Sequence, residues 1–187
     1  MKKSIEFVII LLFFSLASKS QITKRNWMTG GGASFRSSKY EGGLSSTEIV
    51  TQLSGDVGYF VIDKLSIGLK PEYERNEVKE NTNHQIINTY RLGPFVRYYL
   101  LPNEKYVNMF SEISYQYGIT NTNQISSTTK SNKLSGLLGC AVFFNSSVAL
   151  EFTLGYSSYR YSADSFANTG RVKSVIAGIG FQFYLEK

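Results

Sequence analysis

The sequence predicts an all-β fold: an eight-stranded antiparallel up-and-down barrel that follows a cleaved signal peptide. Three observations predict it. From residue 26 onward, run after run alternates apolar and polar residues with a period of two. The chain of 187 residues holds thirteen Tyr, thirteen Phe and sixteen Gly with only 18% charged residues, a composition of strands and turns rather than helices. The runs are separated by polar stretches that alternate long and short, and no segment after the first twenty residues has helical periodicity.

Residues 1–20 stand apart. Lys2 and Lys3 precede a largely apolar core over residues 7–17, broken only by Ser15, and Ser18-Lys19-Ser20 places small residues before Gln21. This is the pattern of a secretory signal peptide, and the apolar run is short for a membrane anchor of roughly 20 residues. With no Cys near the cleavage position, a lipoprotein is not expected. Residues 21–187 then form one domain. Its charge is 17 basic minus 13 acidic, or +4, once Lys2, Lys3, Lys19 and Glu6 are removed. The basic residues are scattered, so no nucleic-acid surface is expected.

The first strand, residues 26–36, puts Trp27, Thr29, Gly31, Ala33 and Phe35 on one face. Its three consecutive glycines lack the Gly-Lys-Ser/Thr ending of a phosphate loop. A polar loop over 37–47 leads to the second strand, 48–62, with Ile49, Leu53, Val57 and Tyr59 in phase, and Asp63-Lys64 turns the chain. The third strand carries Leu65, Ile67, Leu69 and Tyr73 on one face and Ser66, Gly68, Lys70, Glu72 and Glu74 on the other. After a loop over 75–88, the fourth, 90–101, sets Leu92, Val96, Tyr98 and Leu100 against Arg91, Gly93, Phe95, Arg97 and Tyr99. Pro71 and Pro94 each remove a ladder donor, which counts against paired strands there unless the positions are bulges.

The fifth strand, 107–119, opposes Met109, Ile113, Tyr115, Tyr117 and Ile119 to Asn108, Glu112, Ser114 and Gln116. The most polar stretch, 120–133, reads as a loop before the sixth strand, 134–144, where Leu134, Leu138, Cys140, Val142 and Phe144 align. Cys140, the only cysteine, reads as a small hydrophobe in this run. The seventh strand, 148–157, alternates most cleanly, and a loop over 160–171 precedes the eighth, 172–185. There Val175, Ala177, Ile179, Phe181, Phe183 and Leu185 oppose Ser174, Gly178, Gly180 and Gln182. Its expected neighbours are the seventh strand and, across the closing seam, the first.

Alternation does not say which face points outward. A soluble ligand-binding barrel would put its apolar face inside, and a transmembrane barrel would put it outside. Ionisable residues recur on the polar face, at Asp56, Lys70, Glu72, Arg91, Arg97, Glu112 and Glu151, and burying that many in a dry cavity is costly. Tyrosines gather toward strand ends, at Tyr73, Tyr90, Tyr98, Tyr106, Tyr117, Tyr156 and Tyr161, as an interfacial girdle requires. The expectation is lipid outside and a lumen of charges. Asp56 should then lie opposite Lys70, and Arg97 within one diagonal step of Glu112. Such a network either plugs the barrel or lines a narrow porin-like channel; eight strands leave an interior about filled by side chains, which favours the plug.

The signal peptide, the eight strands, LGPFVRYYL in the fourth and the aromatic eighth strand together resemble the small outer-membrane β-barrel family, which includes OmpA-like transmembrane domains and OmpX-like and porin-like proteins. The resemblance covers about residues 22–187 and implies a bacterial outer-membrane location. It implies outer-membrane lipid and lipopolysaccharide as surroundings, contact with the barrel-assembly machinery during insertion, and a monomer. It also implies a C-terminal insertion signal, matched by Ile176, Gly178, Phe181 and Phe183, although this chain ends Leu185-Glu186-Lys187 where the family often ends on an aromatic residue.

Some barrels of this kind are lipases, acyltransferases or proteases. Here His84, the only histidine, sits between Asn83 and Gln85 with no Ser or Asp close in sequence, and no Gly-x-Ser-x-Gly elbow occurs. The expectation is a non-enzymatic barrel without cofactor or metal, with a structural or surface-interaction role.

Overall fold

The computed structural model describes residues 22–40, 46–80, 83–103, 105–122, 128–163 and 169–186. The expected signal peptide and its cleavage position lie outside the described residues. The strands are β1 (Trp27–Tyr40), β2 (Ser46–Ile62), β3 (Leu65–Glu80), β4 (Asn83–Tyr99), β5 (Val107–Thr122), β6 (Thr128–Phe143), β7 (Val148–Ala163) and β8 (Thr169–Leu185). Each pairs antiparallel with the next, and β8 pairs with β1 to close the barrel.

The register fixes the barrel's dimensions. Stepping from Trp27 through Tyr59, Ile67, Val96, Ile113, Gly136 and Tyr156 reaches Val175. Extending the β8–β1 register from there returns to β1 at position 37 rather than 27. With strands about 4.8 Å apart and a rise of about 3.3 Å per residue, this stagger of ten residues tilts the strands by about 40° and sets a backbone radius of about 8 Å. That radius leaves room for side chains but not for a wide pore.

The outward face is the apolar one. Leu53, Leu69, Leu92, Ile113, Leu138 and Leu154 are all more than half exposed and ring the barrel. A soluble barrel with its apolar face inside is thereby excluded. Tyr98 and Tyr90 sit near the two edges of this belt on β4; eight residues at that tilt separate them by about 20 Å, close to the apolar band of transmembrane barrels. Trp27 and Tyr59 pack edge-on at one rim (centroids 5.1 Å apart), and Tyr73 and Tyr90 pack at the other, also at 5.1 Å.

Two expectations are corrected. The stretches expected as loops at 37–47, 75–88, 120–133 and 160–171 are mostly strand. Ladder pairing continues to Tyr40↔Ser46, Glu80↔Asn83, Asn121↔Thr128 and Ser162↔Thr169. A hairpin in water satisfies its backbone in the ladder without an apolar face, so alternation ends where burial ends, not where pairing ends. What distinguishes the two ends of the barrel is the projection of polar strand ends beyond the belt, opposite the turns at 63–64, 100–103 and 144–147. The prolines, for their part, create no bulges. Pairing lapses beside each one, yet Ser54↔Glu72 and Val57↔Leu69 share one register, as do Leu92↔Tyr117 and Phe95↔Ser114. Both prolines point outward, and Gln116 Nε2 donates to the Lys70 carbonyl, just before Pro71, at 3.1 Å. The register does shift once between β2 and β3, at Phe60/Ile62, beside the Asp63-Lys64 turn where Lys64 takes a positive φ of 68°.

Candidate functional site: the barrel lumen

The inward face has three layers. At the turn end, Met28 (β1), Phe60 (β2), Phe95 and Tyr99 (β4), Phe110 (β5), Phe143 (β6) and Tyr184 (β8) form an apolar core with Ala141 and Ala149. Ile22 caps it from outside the strands, held by a hydrogen bond from Lys64 N to its carbonyl (3.0 Å). The Tyr99 and Tyr184 hydroxyls bond each other at 2.8 Å. A barrel about 8 Å in radius is filled across by such rings.

Above this core lies a charge layer centred on Arg97, which is 2% exposed. Its Nε donates to Glu112 Oε2 (2.9 Å), and its Nη1 donates to Glu151 Oε1 and Oε2 (2.8 and 3.1 Å) and to the Tyr99 hydroxyl (3.2 Å). Its Nη2 lies 2.7 Å from Glu112 Oε2 and 3.5 Å from Asp56 Oδ2. The guanidinium also stacks 4.3 Å from the centre of the Phe110 ring. Lys70 joins the layer through an ion pair with Glu112.

The third layer lies toward the hairpins. Arg91 Nη1 contacts Glu72 (2.6 Å) and Glu74 (3.0 Å), and Lys133 Nζ contacts both oxygens of Glu72 (2.8 and 2.7 Å). A cavity of about 90 Å³ connects the two charge layers, room for several waters.

All seven residues expected in the interior network are buried in the lumen. Arg97 and Glu112 are directly opposite, within the expected diagonal step. Asp56 does lie opposite Lys70, in the register shared by Ser54↔Glu72 and Val57↔Leu69, but the two are not an ion pair: Lys70 reaches Glu112 two strands away, while Asp56 takes Arg97 and, through Oδ1, Gln182 Nε2 at 2.9 Å. In a narrow barrel a long side chain finds partners across the lumen as easily as on the next strand. Sequence reasoning missed Lys133, which lay in the expected loop; its phase with Ser135 was the available signal. It also missed the apolar core, because Phe60, Phe95, Tyr99 and Tyr184 interrupt a face otherwise read as polar. Of the four insertion-signal positions, Phe181 and Phe183 face outward, and Ile176 and Gly178 face inward.

The profile of the outer membrane protein beta-barrel domain matches residues 7–185. The chain belongs to that family. Among solved structures it is similar to the outer membrane protein OprG from Pseudomonas aeruginosa, with a TM-score of 0.57 and 16% identity over 90% of this chain and 100% of the other. It is also similar to Neisserial surface protein A, with a TM-score of 0.56 and 16% identity over 89% and 99% of the two chains. At such identities these likenesses describe the fold. No curated protein sequence matches this one. As a member of the family, the chain presents its exposed apolar belt as the surface of an outer-membrane protein.

Proposed function

We propose that this protein is a monomeric, non-enzymatic and non-conducting barrel of the bacterial outer membrane, whose role is exercised at its hairpin end. The observation that carries this reading is the sealed lumen. The apolar core of Met28, Phe60, Tyr99 and Tyr184 is inaccessible to water, and Arg97 above it is held by three carboxylates. An ion would have to displace both layers. The charged lumen residues are bonded to one another rather than arrayed around an open reaction site.

The outer surface supports contact with anionic lipopolysaccharide. Lys130, Arg160, Arg171 and Lys173 are exposed and, by strand parity, point outward just beyond the Tyr73–Tyr90 rim. Arg160 and Arg171 are directly opposed across β7 and β8, a repulsive pair unless an anion bridges it. The closing strand carries the pattern Ile176, Gly178, Phe181 and Phe183 that the barrel-assembly machinery would read.

Three measurements test this. The detergent-extracted protein should change gel mobility on heating, as a closed barrel does. Its incorporation into planar bilayers should leave conductance at baseline; reproducible single-channel steps would overturn the sealed reading. Recovery in the soluble periplasmic fraction would overturn the membrane placement.

A further inference from the structure

The closing seam is only half closed. β1 pairs with β2 along its whole length, from Trp27↔Tyr59 to Tyr40↔Ser46. Its pairing with β8 starts at Trp27↔Leu185 and ends at Ala33↔Ile179. Beyond that rung the facing N–H and C=O groups of Ser34–Arg36 and Ile176–Gly178 are not joined in a ladder. Given the strand tilt, the last rung lies about 10 Å below the Tyr73–Tyr90 rim, at the depth of outer-leaflet hydrocarbon. Unpaired backbone cannot face hydrocarbon without a polar partner. Val175, beside the opening, is the most exposed large hydrophobic residue among the described residues, at 75%.

The lumen cavity reaches this opening. Gly32, Ala33 and Ser34 of β1 and Ile176 and Gly178 of β8 are among its walls. So are Asp56 and Ser135. Ser135 is 5% exposed, and its hydroxyl has no partner among the described residues. Across both layers, four cations (Lys70, Arg91, Arg97 and Lys133) face five carboxylates (Asp56, Glu72, Glu74, Glu112 and Glu151). The carboxylate least well matched is Asp56. Its one ion contact is at 3.5 Å, and its other oxygen is bonded to neutral Gln182. The cavity's own walls carry three cations (Lys70, Arg97 and Lys133) and three carboxylates (Asp56, Glu72 and Glu151), of which Asp56 is the least tightly held, and the cavity has a side entrance at hydrocarbon depth.

We infer that the split β1–β8 seam admits the primary-amine headgroup of an outer-leaflet amphiphile, whose ammonium binds Asp56 while its chain stays in the leaflet. The backbone groups of the open edges would bond the headgroup as it passes. This rests on the membrane placement proposed above.

The test uses folded protein in detergent and native mass spectrometry. The probes are lysophosphatidylethanolamine, lysophosphatidylglycerol of the same chain length, and ethylammonium as an amine without a chain. The expected result is one bound lysophosphatidylethanolamine, with the glycerol lipid bound about tenfold more weakly or less. Asp56→Asn should weaken the amine lipid by a similar factor. Extending the β1–β8 register by one rung beyond Ala33↔Ile179 sets Ser34 against Gly178, so oxidising the double variant Ser34→Cys/Gly178→Cys is the means to lock the seam. Locking should abolish binding of the amine lipid and leave ethylammonium bound, and reduction should restore the lipid. Equal binding of the two lipids, no effect of Asp56→Asn, or lipid binding that survives the lock would each overturn the inference. Loss of ethylammonium as well would overturn the assignment of the seam as an entrance rather than a cavity wall. Heat-dependent gel mobility is read on every variant, so misfolding or failure of the barrel reading registers separately from failure to bind.

Discussion

The two halves of the lumen are built from the same strands and by opposite rules. In the turn-end half, aromatic rings from facing strands meet, and one arginine serves three carboxylates directly. In the hairpin-end half, Glu72 is shared by Arg91 and Lys133, Glu74 is a quarter exposed, a cavity remains, and the seam opens. The first half is where removing a group leaves others stranded. The second has slack. In such barrels, rigidity near one membrane face can coexist with room for binding near the other, because the ladder, not the core, holds the upper half together.

The largest expected effect breaks the turn-end half. Arg97→Met keeps the bulk but leaves Asp56, Glu112 and Glu151 with Lys70 alone. Stranding buried carboxylates costs about 3–5 kcal/mol, read as a lower urea midpoint of the detergent-folded protein. Arg91→Met should cost less, about 1–2 kcal/mol, because Glu72 retains Lys133 at 2.7 Å and Glu74 can turn to water. If Arg91→Met proved the more damaging, the contrast between the halves would be wrong.

A second effect contrasts belt with hairpin. Ile113 is 64% exposed at mid-belt, and Ile113→Arg should cost about 2–4 kcal/mol in lipid vesicles. Lys130→Glu, on the same outward face beyond the rim, should change stability by less than about 0.5 kcal/mol. Equal penalties would mean that the apolar belt does not meet hydrocarbon.

How much of this was legible in the sequence follows the same division. The belt was readable on every strand, because a face in lipid and a face in the lumen differ at every second residue. The neighbours of β8 were readable too, since up-and-down order leaves no alternative. The strand ends were not. Above the rim both faces meet water, and Lys130 or Arg160 in a ladder looks like Lys130 or Arg160 in a loop. The charged residues of the lumen were legible as a set but not as pairs, as Asp56 and Lys70 show, because partners form across the barrel axis and no cross-strand rule covers that direction. The aromatic core was hidden for a different reason. Phe95 and Tyr99 stand in phase with Arg91 and Arg97, so period two assigns all four to one face, and only depth along the strand separates the core from the charge layers.

The smallest expected effect is also the sharpest test of slack. Tyr184→Phe removes one hydroxyl from the turn-end half, where it bonds the Tyr99 hydroxyl at 2.8 Å and approaches Glu151 at 3.4 Å. With its partners sealed from water, the loss should cost about 1 kcal/mol. Ser131→Ala removes one hydroxyl from the hairpin-end half. Ser131 is just as buried, at 2% exposed, yet its oxygen has no partner among the described residues. A buried hydroxyl without a bond contributes nothing by its absence, so this variant should be neutral or stabilised by up to about 1 kcal/mol. The two substitutions remove the same atom from equally buried sites. Opposite signs in the unfolding midpoints would show that bonding, and not burial, sets the stability of each half; a loss at Ser131 as large as at Tyr184 would mean that the upper half is as tightly bonded as the lower.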